Sequence, residues 1–262
     1  MSDLQVIRSR ENLHAKQLDT LLRQKKAREA SGLFVLEGAR LCLDALSAGL
    51  RPESVLLTAS ALRKNPGLAA LTGQARQTIW LDETLAERLG DTKTPQGVFA
   101  VLKTPPPTTV KIHEQGRYLL LHQVRDPGNL GGTLRTAAAL GASAAFLYEC
   151  AEAYSPKVVR ASMGGVLRIP VAVVDDMAQQ IQILRQSSVK TYAAALRQGA
   201  RLPGCLSGDG GKAILIGNEG AGLPDDLIAA CTDCVTIPMK SGSESLNAAM
   251  AAGILLWEML RG

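Results

Sequence analysis

The strongest constraint on this chain is a series of short runs that are apolar from end to end, such as Tyr118-Leu-Leu-Leu121. A strand with one wet face alternates apolar and polar residues. An uninterrupted run therefore predicts a strand covered on both faces, as in a parallel sheet flanked by helices. Strands are expected at residues 118–123, 144–148, 171–174, 191–195, 213–216 and 234–237. Helical periodicity falls between them, at 130–140, 155–161, 177–185, 225–230 and 245–260, so the fold class is α/β.

A second constraint is Lys103-Thr-Pro-Pro-Pro-Thr-Thr-Val110, where consecutive prolines cannot donate ladder hydrogen bonds and favour an extended connection. It divides the chain into an N-terminal part, 1–102, a linker, 103–110, and a C-terminal part, 111–262. The N-terminal part reads as a smaller α/β domain. A basic helix is expected at 12–28, with strands at 33–36, 54–58, 78–81 and 97–102 and helices at 39–48 and 83–89. Residues 1–110 hold 15 Lys or Arg against 11 Asp or Glu, so +4 of the net +5 lies there. That bias suits a polyanionic partner such as nucleic acid.

With 46% hydrophobic and 20% charged residues over 262 positions, the composition excludes disordered, collagenous and coiled-coil classes. No stretch has the length and apolarity of a membrane span, and the first residues lack a secretory apolar core, so a cytoplasmic protein without membrane contact is expected. The five cysteines are odd in number and scattered, which predicts reduced thiols. Cys231-Thr-Asp-Cys234 has ligand-like spacing but no second pair, so no metal is expected.

In a covered parallel sheet the ligand crevice lies at the carboxyl ends of the strands. Three stretches fall there. Val124-Arg-Asp-Pro-Gly-Asn-Leu-Gly-Gly-Thr-Leu-Arg135 combines Gly128, Gly131 and Gly132 with a helix start and Arg135. Gly217-Asn-Glu-Gly-Ala-Gly222 follows an apolar strand. Ile237-Pro-Met-Lys-Ser-Gly-Ser-Glu-Ser-Leu-Asn247 joins the last strand to the last helix. Glu149 stands 20 residues past Asn129, where a dinucleotide fold places its ribose-binding acid, but the glycines run G-x-x-G-G and lack the pyrophosphate fingerprint. His122, at a strand end beside the first stretch, is read as structural.

These residues resemble the SpoU (TrmH-like) branch of the SPOUT RNA 2′-O-ribose methyltransferases. Three ordered motifs carry the likeness: N-x-G-x-x-x-R at Asn129, Gly131 and Arg135; G-N-E-x-x-G at Gly217, Asn218, Glu219 and Gly222; and Ile237-Pro238-Met239 followed by Ser245-Leu246-Asn247. The likeness covers about residues 117–262, and 33–102 are similar to the family's N-terminal substrate-binding domain. One departure is Ser241, where the family usually has glycine, with Gly242 next to it.

The resemblance implies a trefoil knot in the C-terminal sheet, with S-adenosylmethionine bound at Gly217, Asn218, Gly222, Ile237, Met239 and Leu246. It implies methyl transfer to a ribose 2′-hydroxyl, with ribosomal RNA of the 23S type the expected substrate, transfer RNA an alternative, and a non-catalytic RNA-binding protein a third reading. Arg135 would stabilise the developing alkoxide, while Asn129, Glu219, Ser245 and Asn247 would orient it or the ribose. A guanidinium rarely loses its proton, which favours charge stabilisation over base catalysis. The final helix, with Leu246, Met250, Gly253, Ile254 and Trp257 on adjoining faces, would join two copies in a homodimer.

Overall fold

The computed structural model describes residues 5–106, 110–240 and 245–261. The chain forms two compact units. One comprises Met1–Pro105 with Tyr154–Arg160, the other Pro106–Ala153 with Ala161–Gly262.

The first unit contains β1 (Val6–Ile7), α1 (Leu13–Arg23), α2 (Lys25–Ser31), β2 (Leu33–Glu37), α3 (Ala39–Ser47), β3 (Ser54–Leu57), α4 (Ala59–Lys64), α5 (Leu68–Gln74), β4 (Gln77–Leu81), α6 (Glu83–Leu89) and β5 (Val98–Lys103). Its sheet runs β1-β4-β3-β5-β2. β5 is antiparallel to both neighbours and the other pairs are parallel. Leu18, Leu21 and Leu22 of α1 close one core over Val35, Leu56, Phe99 and Val101.

The basic helix expected at 12–28 is two helices. Asn12 caps the first by accepting from the His14 N–H at 2.9 Å, but Gln24 leaves helical geometry at φ −118° and ψ 112°. The break has a partner in Arg28. Its guanidinium is buried and donates to the Leu21 carbonyl at 2.6 Å, satisfying the end of α1. Arg28 therefore serves the fold, whereas Arg23, Lys25 and Lys26 stay exposed.

Two further details bind this unit. The buried Glu37 carboxylate accepts from the Asp91 N–H at 3.0 Å and the Thr92 hydroxyl at 2.6 Å, while Arg160 reaches Asp91 at 2.7 Å. Tyr154 lies 5.1 Å from Phe34, ring centre to ring centre.

The second unit contains β6 (Arg117–His122), α7 (Pro127–Leu140), β7 (Ala144–Tyr148), the end of α8 (Pro156–Ala161), β8 (Val171–Val173), α9 (Met177–Gln186), β9 (Lys190–Ala194), β10 (Lys212–Ile216), α10 (Asp225–Ala230), β11 (Asp233–Val235) and α11 (Ala248–Leu260). All six strands are parallel, in the order β11-β9-β10-β6-β7-β8. Leu119, Leu120, Leu121 and Ile214 are fully buried, as expected for strands covered on both faces.

The strand order reverses between β6 and β10. Going from β6 the chain builds outward through β7 and β8, then crosses to the other side for β9. A reversal of this kind opens a crevice at the carboxyl ends of the strands, where the loops after β6 and β10 meet. α11 packs back against α7 and β10.

Candidate active site

The first glycine-bearing stretch is mostly helix, not loop. Pro127 occupies the first helical turn, where its missing N–H has no cost, and the Asp126 side chain accepts from the Asn129 N–H at 2.7 Å. α7 thus begins three residues earlier than periodicity predicts. Asn129, Gly131 and Arg135 consequently sit on one rigid element.

The second stretch is a tight turn built around Asn218. Its backbone exchanges two 3.0 Å hydrogen bonds with Gly222. Its side-chain oxygen accepts from the Gly220 and Ala221 N–H groups at 2.9 Å, and its side-chain nitrogen donates to the Gln123 carbonyl at 2.8 Å. Asn218 therefore clamps this turn to the end of β6. Gly222 has φ +69°, a conformation that favours glycine.

The third stretch supplies Asn247, which caps α11 by accepting from the Ala249 and Met250 N–H groups at 3.0 and 3.2 Å. The same side chain donates to Asn129 Oδ1 at 2.8 Å. Asn129 in turn donates to Glu219 Oε1 at 3.1 Å, and the Asp126 N–H reaches that oxygen at 3.3 Å. Three stretches distant in sequence are joined by one chain of hydrogen bonds, Asn247 to Asn129 to Glu219.

This chain fixes the charge of Glu219. Partial burial by itself would raise the carboxyl, but the donors from Asn129 and the Glu219, Asp126 and Arg125 backbones outweigh it and hold the group below the ordinary carboxylate range. Its contribution to stability is present above the ordinary carboxylate pKa and lost only as pH falls through the depressed value. Glu219 is a fixed anion at neutral pH.

Beside it lies a cleft of about 410 Å³, within the size range of small-ligand sites. Its walls are Ala194 to Arg197 after β9, Ile216 to Leu223 after β10, and Val235 to Ile237 with Met239, Ser245 and Leu246 before α11. Among the described residues lining it, Glu219 and Arg197 are the only charged ones.

All six residues expected at the cofactor, Gly217, Asn218, Gly222, Ile237, Met239 and Leu246, line this cleft, as do Glu219 and Ser245. Asn129 and Asn247 join it through Glu219. Arg135 stands apart from both groups. It is exposed, has no hydrogen-bond or ion-pair partner among the described residues, and sits six residues, about 9 Å, along α7 from Asn129. Its backbone is pressed by Gly165, where an added Cβ would come 2.7 Å from the Arg135 Cα. Ser241 and Gly242 lie outside the described residues.

The wall after β9, Leu196 and Arg197, carries no motif. Only the reversal of strand order, invisible in the sequence, brings it beside the turn after β10. His122 is buried, stacks on Tyr148 with ring centres 5.0 Å apart, and is held below its ordinary pKa by burial.

Comparison with known proteins then decides the family. The model described as the SpoU rRNA Methylase family matches residues 116–257, and the MRM3-like substrate binding domain matches residues 12–100. The chain belongs to the SpoU rRNA methylase family. Across 99% of its length it is 34% identical to an uncharacterized tRNA/rRNA methyltransferase of Synechocystis, of which it covers 95%. It is 33% identical to the 23S rRNA (guanosine(2553)-2′-O)-methyltransferase RlmP of Bacillus subtilis, over 92% of this chain and 93% of that one. The crystal structure of the AdoMet-bound rRNA methyltransferase from Sinorhizobium meliloti superposes with a TM-score of 0.86 at 30% identity, covering 98% of this chain and 97% of its own.

Proposed function

We propose that this SpoU family member transfers a methyl group from S-adenosylmethionine to a ribose 2′-hydroxyl of 23S-type ribosomal RNA. The observation that carries the reading is the hydrogen-bonded chain Asn247–Asn129–Glu219, which gathers all three family motifs beside one cleft. The relatives support the substrate: RlmP bears a 23S rRNA 2′-O-methyltransferase name and the Sinorhizobium structure holds AdoMet.

The cleft suits the cofactor chemically. An adenosine needs apolar walls and backbone polar groups, supplied by Ile216, Ile237 and Leu246 and by the glycine-rich turn after β10. Glu219, an anion at the rim, complements the cationic sulfonium. The bound cofactor provides a methyl group on a positively charged sulfur, ready for in-line displacement.

The protein's part is positioning and electrostatics. Asn129, braced between Asn247 and Glu219, is held without freedom to rotate and fixes the start of α7. Arg135, six residues later on the same helix, presents an unpaired guanidinium that stabilises the oxygen as its proton departs. Ser245, on the cleft wall, orients the ribose. The trefoil knot belongs to the same reading.

RNA is engaged first by charge, through the exposed Arg23, Lys25 and Lys26 of the first unit. Neutralising these three together is expected to lower RNA affinity and to reduce the salt slope by about 0.9 for each duplex phosphate that is no longer neutralised. Affinity measured from low to moderate salt checks this, and an unchanged slope would make these helices a solvated face. Arg28 is excluded from the set because its buried guanidinium holds α1 to α2.

A homodimer through α11 completes the reading. Met250, Ile254 and Trp257, spaced along one face, are 63%, 38% and 55% exposed, too apolar a stripe for a helix meant to face water. Trp257→Glu is expected to yield monomers in sedimentation, and an unaltered mass distribution would remove this interface. Methylation of ribose sites across total RNA, mapped with and without the gene, tests the function as a whole; loss of one 23S-type site is the expected result.

A further inference from the structure

The amino-acid end of the cofactor has no partner among the motif residues described so far. S-adenosylmethionine carries an α-carboxylate, and none of the motif residues lining the cleft is cationic. The cleft does contain one, contributed by the segment after β9.

Arg197 is the only cationic side chain among the described residues lining the cleft. Its present partner is Asp225, whose side chain is 83% exposed. An ion pair so open to water contributes little net stability and exchanges readily. The backbone carrying Arg197 is, by contrast, well fixed. Ala195 donates to Val235 at 3.1 Å, Arg201 to Cys234 at 2.8 Å and Ala200 to Arg197 at 3.2 Å. Thr236 donates back to Arg201 at 2.9 Å, so this segment and the strand leading to Ile237 form one wall. Leu196 beside it faces the same cleft while 59% exposed.

We propose that Arg197 is a cofactor-positioning residue whose guanidinium binds the α-carboxylate of S-adenosylmethionine, leaving Asp225 to do so. The two charges lining the cleft then complement two of the ligand's own, Glu219 the cationic sulfonium and Arg197 the carboxylate. A guanidinium suits this task because its forked donors fit a carboxylate in two parallel hydrogen bonds. Asp225 acts as a place-holder that keeps the side chain ordered when the cleft is empty.

This inference rests on the cofactor assignment, and its test separates the two. Calorimetry on the full chain compares S-adenosylhomocysteine with 5′-methylthioadenosine, which shares the adenosine and the sulfur but lacks the amino-acid end. Arg197→Ala is expected to weaken S-adenosylhomocysteine about tenfold or more, the usual scale for one charge-assisted hydrogen bond. Binding of 5′-methylthioadenosine should be unchanged, which also reports that the cleft is folded. Arg197→Lys should recover part of the loss, and Asp225→Asn should leave both ligands bound at least as tightly as in the wild type. Equal losses for both ligands, or no loss for either, would overturn the role of Arg197. A wild-type protein that bound neither would instead remove the cofactor reading, and this inference with it.

Discussion

Replacing Arg135 by alanine is expected to slow methyl transfer by roughly 100-fold or more, the scale seen when a preorganised charge-stabilising donor is removed. The side chain is exposed and unpaired among the described residues, so no partner is orphaned by its loss. It is absent from the cleft wall. Cofactor affinity should consequently stay within about twofold, a difference of about 0.4 kcal/mol. Single-turnover measurement with a verified RNA substrate, paired with calorimetry, separates the two quantities. Full activity in the variant would eliminate the proposed role. Arg135→Lys is expected to restore only part of the rate, since an ammonium keeps the charge but not the fork.

The opposite signature is expected at Gly217. A Cβ there would come within 2.5 Å of the Gly222 carbonyl carbon and 2.8 Å of Leu223 Cγ. The obstacle on one side is backbone, so Gly217→Val has to open the turn that Asn218 closes. Forced overpacking costs about 1–3 kcal/mol, which corresponds to a loss of cofactor affinity of about fivefold to 150-fold if the strain falls on the cleft. The fold should survive, because β10 itself stays buried between β9 and β6. Wild-type affinity for S-adenosylhomocysteine in this variant would mean that the cofactor does not sit against the turn.

Much of the catalytic unit is legible in the sequence because burial on both faces writes itself into a strand as a continuous apolar run. All six of its strands lie within a residue or two of where those runs place them. Helix starts are less legible. Asp126 and Pro127 form a cap whose chemistry is plain once seen, yet it lies upstream of the first apolar-periodic residue. In the first unit, α4 and α5 escape the periodicity because six- and seven-residue helices flanking Pro66 and Gly67 carry too few turns for a periodic signal. β1, two residues long, offers no pattern at all. The break at Gln24 hides for a different reason: it depends on a buried arginine, and sequence reading assigns arginines to the surface. Asn129, Glu219 and Asn247 can be proposed as site residues by resemblance, but their mutual hydrogen bonds depend on the order of strands. Arg197 needs that order as well.

The small helix after β7 has a practical consequence for anyone who wishes to take the molecule apart. Tyr154 to Arg160 packs with the N-terminal unit, where Tyr154 meets Phe34 and Arg160 meets Asp91. The polypeptide therefore enters that unit twice. Cleavage at the prolines would give two pieces, of which the longer carries off an aromatic ring and a guanidinium that the shorter one needs, leaving the Glu37 carboxylate buried without its cation. Domain swaps between relatives, or an isolated substrate-binding module made for RNA work, would have to carry residues 154–160 along or replace Phe34, Glu37 and Asp91 together.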